Sequence, residues 1–167
     1  VVVYHIAACG VCDECRAGYM ISSRSASRAA YGWQRDGGHA PYLLAEENTL
    51  VPLPDALSYV DGALCACGYG TVYEALMRMG LSGAERLLVT GLGPVGLAAA
   101  HLGRALGATT IVGVEISRAR LGLAESLGLF DHVFDAADEC LEAILDVTDG
   151  SGCERSIDCS GAGAGRH

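Results

Sequence analysis

The 167-residue chain has no uninterrupted apolar stretch of the roughly 20 residues that a bilayer-spanning helix needs, so no segment reads as transmembrane. Positive charge is scarce: 11 Lys and Arg stand against 20 Asp and Glu, giving a formal net charge of -9. With a pI near 4.8, that balance argues against a nucleic-acid or anionic-membrane partner, since both call for a basic footprint. Aromatic residues make up only 6%, and no basic patch is interleaved with them. The four prolines are few enough to serve as punctuation. An initiator methionine is also missing, and Val1–Ile6 already reads as a strand of an ongoing fold. The true N-terminus is therefore expected upstream, and targeting signals are not legible.

Apolar side chains, by contrast, are ample for a packed core at 51%, and the length suits one domain or slightly more. The most informative stretch is Leu87-Leu88-Val89-Thr90-Gly91-Leu92-Gly93-Pro94-Val95-Gly96. A strand-type apolar run meets a G-x-G-x-x-G turn, after which Val95, Ala98, Ala99, Leu102 and Leu106 recur at the spacing of one helix face. Gly91 permits the tight turn, Gly93 lets backbone amides approach a pyrophosphate, and Gly96 lets the helix pack closely on the strand. With 23 glycines in the chain, the motif alone is a weak signal. Its context strengthens it, because a second strand, 110–114, ends at Glu115. That is about twenty residues past the turn, where a carboxylate takes the ribose hydroxyls of NAD.

The remainder of this half repeats the same unit. Ser117 is placed to cap a helix with Leu121, Ala124 and Leu127 facing the sheet and Gly128 ending it. His132–Phe134 reads as a third strand, and Asp138 opens a third helix with Leu141, Ile144, Leu145 and Thr148 inward. Ser156–Cys159 reads as a fourth strand, entering the glycine-rich run 161–165 before the chain stops at His167. Strands alternating with helices call for an α/β fold, a Rossmann-type doubly wound parallel sheet with right-handed crossovers.

The first half is organised around cysteines. Of eight, three fall as Cys9-x-x-Cys12-x-x-Cys15 in a polar loop. Thiols this close suit one tetrahedral metal better than a disulfide framework, the alternative being three ordinary thiols in a loop. Residues 24–36 show no period and read as irregular, and 37–44, containing His39, reads as a strand. A packed histidine suits that setting better than a ligand. Residues 50–54 form another short strand with its prolines at the ends. From Asp55 a helix is expected with Leu57, Val60, Ala63 and Leu64 on one face, and Val72, Ala75, Leu76 and Met79 mark a second. Gly68 and Gly70 separate the two. On physics alone Cys67 reads as a small buried residue. The expected organisation is 1–54, 55–84 as connecting helices, and 85–167 as an incomplete nucleotide domain.

Taken together, Cys9-x-x-Cys12-x-x-Cys15, Gly37-Gly38-His39-Ala40, Ala66-Cys67-Gly68-Tyr69-Gly70-Thr71 and the glycine turn with Glu115 resemble the zinc-dependent medium-chain alcohol dehydrogenases, over nearly the whole chain. The resemblance implies that 1–54 is the end of a GroES-like catalytic domain and that Cys9, Cys12 and Cys15 belong to a structural zinc lobe. It also implies that Cys67 is one ligand of a catalytic zinc. Thr71, Val95 and Cys159-Ser160-Gly161 would border the nicotinamide of NAD, Gly91, Gly93, Pro94 and Gly96 its pyrophosphate, and Glu115 and Arg120 the adenosine ribose. The implied parent is a cytoplasmic, homo-oligomeric enzyme acting on a small alcohol or polyol, without nucleic acid or membrane partners. Two departures stand out. Ser23 occupies the place of the fourth structural ligand, where a neutral hydroxyl is a poor substitute for thiolate. The other catalytic-zinc ligands belong upstream of Val1, so the chain reads as a central fragment. Rival readings are a non-catalytic dinucleotide-binding remnant and a zinc-ribbon interaction module.

Overall fold

A computed structural model describes residues 1–138 and 140–161. The glycine run beyond Gly161 and His167 lie outside the described residues. The chain separates into two compact units, 1–67 and 68–167.

The first unit is held by short pieces of backbone pairing around a small core. β1 (Val2–Val3) pairs antiparallel with β4 (Leu50–Val51), and β2 (Ile6–Ala7) with β3 (Ala29–Ala30). Ile6, Ala7 and Ala30 are buried there. A strand therefore runs within 24–36, which was expected to be irregular. The periodicity misses it because two residues cannot display an alternation. Beyond it the chain closes on itself, with Tyr31 bridging to Arg35 and Gly32 at φ +77°. Between β2 and β3 lies α1 (Asp13–Arg16), a single turn carrying Cys15.

The strand expected over 37–44 does not form. Pro41 has no N–H to donate, no partner ladder meets this segment, and Tyr42 and Leu44 stay exposed. His39 is exposed with them. α2 (Tyr59–Leu64) begins where Ser58 and Asp61 make a reciprocal capping box. Its expected inner face is the reverse of that observed: Leu57, Val60, Ala63 and Leu64 are exposed, and Gly62 is the buried residue. A Cβ on Gly62 would meet Val2 and Leu53 at 3.1–3.3 Å, so the helix packs through its least bulky position. Gly68 and Gly70 do not break the path. A π-helical turn, Cys65–Tyr69, leads straight into α3 (Gly70–Arg78).

The second unit is a four-stranded parallel sheet: β5 (Leu87–Thr90), β6 (Ile111–Glu115), β7 (His132–Asp135) and β8 (Arg155–Asp158), in spatial order β7-β6-β5-β8. This is the order 3-2-1-4 of a dinucleotide-binding sheet, in which the strand order reverses between β5 and β8 while the strands stay parallel. Leu87, Val89 and Ile111 fill one core with Val72 and Leu76 of α3, and Val112 and Val114 fill a second with Ile144. α4 (Pro94–Ala105) packs through Gly96, Ala98, Ala99, Ala100 and Gly103. Val95, expected on that face, is 39% exposed. The reason is proximity: a Cβ on Gly103 would stand 2.7 Å from Leu87 Cδ2, so only small residues fit where helix meets strand.

α5 (Arg118–Leu127) ends as expected at Gly128 in the left-handed region, φ +62°. Its Leu127 is exposed, though, and Ala124 alone is buried. Ser117 occupies the N-cap position without capping through its side chain. α6 (Cys140–Asp146) buries Ile144 while Leu141 is exposed, and Thr148 just beyond it is buried.

Candidate functional site

The strand order reverses between β5 and β8, and open α/β sheets take their ligands in the crevice outside the C-terminal ends of the strands at such a point. Three glycines shape its wall, each through a different contact. Gly91 sits at φ +81°, and a Cβ there would lie 2.6–2.8 Å from the backbone of Cys159 and Ser160. Gly96 would place a Cβ 2.0 Å from the Gly91 carbonyl oxygen, so it brings α4 hard against the turn. Gly93 has nothing within 4 Å of its missing Cβ, which leaves the backbone open to approach at the start of α4. Pro94 follows at the first helical position, where its missing N–H costs no bond. The open N–H groups and the helix dipole of this terminus suit an anionic group such as a pyrophosphate.

The facing turn is pinned by Asp158. Its Oδ1 accepts from Thr90 Oγ1 at 3.0 Å, Ser160 N at 2.9 Å and Ser160 Oγ at 2.6 Å. The Ser160 hydroxyl and amide, then the Thr90 hydroxyl, hold its carboxyl below the usual range. Sequence reasoning treated Asp158 as one more strand residue. The signal was present, since an Asp two residues before a Ser offers the local side chain-to-backbone bond of an Asx turn.

Glu115 closes the other end of the wall. Its side chain is only 4% exposed. Oε2 accepts from the Leu92 N–H at 2.8 Å and lies 3.5 Å from Arg120 Nη1, while Oε1 accepts from the N–H groups of Ile116 and Ser117, both at 2.9 Å. Burial alone would raise this carboxyl. The N–H groups of Ser117, Leu92 and Ile116, aided by the Arg120 charge, outweigh it and hold the group ionised.

Cys67 lies in the π-helical turn and is exposed, against the expectation of a small buried residue. A π-helical turn, with its wider i→i+5 bonding, shifts side chains out of the α-helical register. Thr71, the second residue of α3, is also exposed. Tyr69, at the end of the same turn, bonds His101 of α4 through its hydroxyl at 2.9 Å.

In the first unit, Cys9, Cys12 and Cys15 converge, with all three Sγ atoms within 4.8 Å of one another. Cys12–Cys15 is 3.4 Å and Cys9–Cys15 is 4.0 Å. Thiolates around one tetrahedral zinc stand about 3.8 Å apart, so the cluster fits that ion. Ser23, 6% exposed, completes it, its Oγ 3.5 Å from Cys12 Sγ and 3.7 Å from Cys9 Sγ. The Val11 and Cys12 amides, then the Ser23 hydroxyl, lower the Cys9 thiol to about 6. Ser23 likewise heads the causes that lower Cys12. Cys15 is also bonded by Ser23, yet burial and the thiols of Cys12 and Cys9 push it up. Among the described residues no other group of three such side chains gathers as a metal site, so Cys67 by itself does not make one.

The family model for the zinc-binding dehydrogenases matches residues 94–165. The zinc-type alcohol dehydrogenase-like protein YphC of Escherichia coli is 51% identical over 99% of this chain and 47% of its own length. A sorbitol dehydrogenase of Halalkalibacterium halodurans is 31% identical over 92% of this chain and 44% of its own. Among solved structures, alcohol dehydrogenase TADH from Thermus sp. ATN1 superposes with a TM-score of 0.86 at 26% identity, over 97% of this chain and 48% of that one. The chain thus spans about half the length of the relatives it matches.

Proposed function

The chain belongs to the zinc-dependent medium-chain alcohol dehydrogenase family, and from that premise we propose that it provides the dinucleotide-binding part of an oxidoreductase that moves hydride from the CH–OH carbon of an alcohol or polyol to NAD. The observation that carries this reading is the glycine turn at the β5–β8 reversal of strand order, where Gly91 and Gly96 leave no room for a Cβ while Gly93 lies open. Gly91, Gly93, Pro94 and Gly96 would hold the pyrophosphate, with Glu115 and Arg120 marking the adenosine-ribose end. Thr71, Val95 and Cys159-Ser160-Gly161 would border the nicotinamide. The dinucleotide supplies the hydride acceptor, and a catalytic zinc supplies the Lewis acid that polarises the substrate oxygen.

The chain's own residues divide the work unevenly. Asp158 fixes the Ser160 turn and Glu115 fixes Leu92, so both walls of the crevice are set before a ligand arrives. Cys9, Cys12 and Cys15 would hold a zinc whose role is to order the loop around it. Cys67 would contribute one thiolate to a catalytic zinc, which needs three protein ligands, so the chain by itself would bind dinucleotide without transferring hydride. A negative charge at Glu115 disfavours a phosphate on the same ribose, hence NAD over NADP. The complete enzyme would be a cytoplasmic homo-oligomer.

Calorimetric titration of the chain with NAD and NADP tests the cofactor reading, NAD being expected to bind more tightly. NADP binding as tight as NAD overturns the preference. A panel of primary, secondary and polyhydric alcohols, assayed on an enzyme carrying this chain together with the remaining zinc ligands, identifies the substrate. Sorbitol-like polyols head that panel because a sorbitol dehydrogenase is among the relatives.

A further inference from the structure

Separate pieces of chain bring the three sulfurs of the first unit and the Ser23 oxygen together. Cys9 and Cys12 lie in the loop after β2 and Cys15 in α1, whereas Ser23 follows the 3₁₀ turn Met20–Ser22 and donates its N–H to the Met20 carbonyl at 3.1 Å. Ile21, Ser22 and Arg24 around it are exposed, so the loop turns this one hydroxyl inward. Around a tetrahedral zinc, with Zn–S and Zn–O bonds of about 2.3 and 2.0 Å, a thiolate sulfur and an oxygen ligand stand about 3.5 Å apart. Ser23 Oγ lies 3.5 Å from Cys12 Sγ and 3.7 Å from Cys9 Sγ, and it bonds Cys15 as well. We propose that Ser23 is itself the fourth ligand of the ion held by Cys9, Cys12 and Cys15, so that the chain closes the site with its own hydroxyl and not with water or a carboxylate.

This inference rests on the reading of the three cysteines as a zinc site and goes beyond it at the fourth position. A hydroxyl has one proton and two lone pairs. The Ser25 N–H engages one lone pair at 3.4 Å, which leaves the other for a cation. Three thiolates in turn call for more positive charge between them than a single hydroxyl proton supplies. The neighbouring carboxylates are otherwise placed. Among the described residues no Asp or Glu gathers with the three sulfurs, Glu14 pairs with Arg24 at 3.0 Å, and Asp13 is exposed. A neutral oxygen in this place gives up one negative charge relative to a four-thiolate site, so the ion is held less tightly, yet the site keeps no open position.

Cobalt(II), coloured and paramagnetic, is the probe, loaded into the full chain, and loss of its thiolate bands in Cys12→Ala assigns them to this cluster. In water enriched in oxygen-17 the cobalt spin-resonance lines of the unaltered chain should not broaden, because no water sits on the ion. In Ser23→Ala, where water takes the vacated place, they should. In Ser23→Cys the thiolate-to-cobalt absorption should rise by about a third, from three sulfurs to four. Zinc competition with a chromophoric chelator should show Ser23→Ala weaker by about tenfold or more, at least the loss caused by altering a group behind a ligand, while Asp13→Asn combined with Glu14→Gln stays within about threefold. Broadening in the unaltered chain overturns the proposal, as does unchanged zinc affinity in Ser23→Ala or unchanged absorption in Ser23→Cys. The first of these needs no variant and decides even if Ser23→Ala fails to fold. A chain that takes up no zinc while Ser23→Cys does overturns Ser23 as a ligand and leaves the three-thiol reading standing. If neither takes up zinc, the three-thiol reading falls and the proposal with it.

Discussion

Replacing Gly96 and Gly122 by alanine in turn applies one chemical change to two helices of the same unit, with opposite expected signs. Gly96 lies in α4, where a Cβ would stand 2.0 Å from the Gly91 carbonyl oxygen and 3.4 Å from Val89 Cγ1. Contacts of that kind do not close below 3.0 Å, so the helix must retreat by about 1 Å (3.0 less 2.0) from a strand against which Ala99, Ala100 and Gly103 are also buried. The obstacle is backbone and cannot rotate aside. Overpacking costs about 1–3 kcal/mol, more when the neighbour is rigid, while alanine gains about 1 kcal/mol of helix propensity over glycine. Taking the upper end of that range for a backbone obstacle, the net is a loss of about 2 kcal/mol. Gly122 lies in α5 with nothing within 4 Å of the added carbon, so only the propensity gain of about 1 kcal/mol remains. At about 2–4 °C per kcal/mol for a chain of this size, Gly96→Ala should melt about 4–8 °C lower and Gly122→Ala about 2–4 °C higher. Thermal unfolding followed by circular dichroism measures both. A Gly96→Ala chain as stable as the unaltered one would refute the close-approach argument, because the propensity term would then be acting alone.

Ser23→Cys should convert three thiolates and a hydroxyl into four thiolates and raise zinc affinity. Competition with a chromophoric chelator reads this directly, and equal zinc retention by both forms would show that Ser23 costs nothing. Glu154 is held at about 2 by the Arg86 guanidinium and backbone N–H. Its folded value is depressed, so its contribution is complete above the unfolded value of about 4.3 and is lost as pH falls toward 2. Melting temperature should therefore drop across that window, and Glu154→Gln should flatten the drop. Incubated with NAD, zinc and the alcohol panel, the chain alone should give no change in absorbance at the reduced-nicotinamide band. Zinc-dependent turnover would mean that the ligand set is built from residues assigned no such role here.

Local chemistry made some elements legible without a structure. Leu87–Thr90, the three glycines and the helix after them follow from nearest-neighbour rules: a buried parallel strand is a short apolar run, and a tight turn needs residues without Cβ. Gly128 could be assigned its left-handed stop for the same reason. Reading failed where the deciding partner was distant. The segment 37–44 has the composition of a strand, but a strand exists only through a ladder, and none meets it. α2 has an apolar stripe, yet Gly62 faces Val2 and Leu53, so packing overrode periodicity.

The sequence by itself determined the alternation of strand and helix in residues 87–158, the spacing of the three close thiols, and the resemblance those motifs carry together, because each depends on residues within about one turn or one strand of another. Only the tertiary structure decided that Ser23 comes to lie beside Cys9 and Cys12, that Asp158 fastens Thr90 to Ser160, and that Glu115 spends its carboxylate on Leu92, Ile116 and Ser117. Hydrogen-bonding capacity is a property of a residue, but which partners fill it is set by chain segments that meet only when the sheet and the loops have closed.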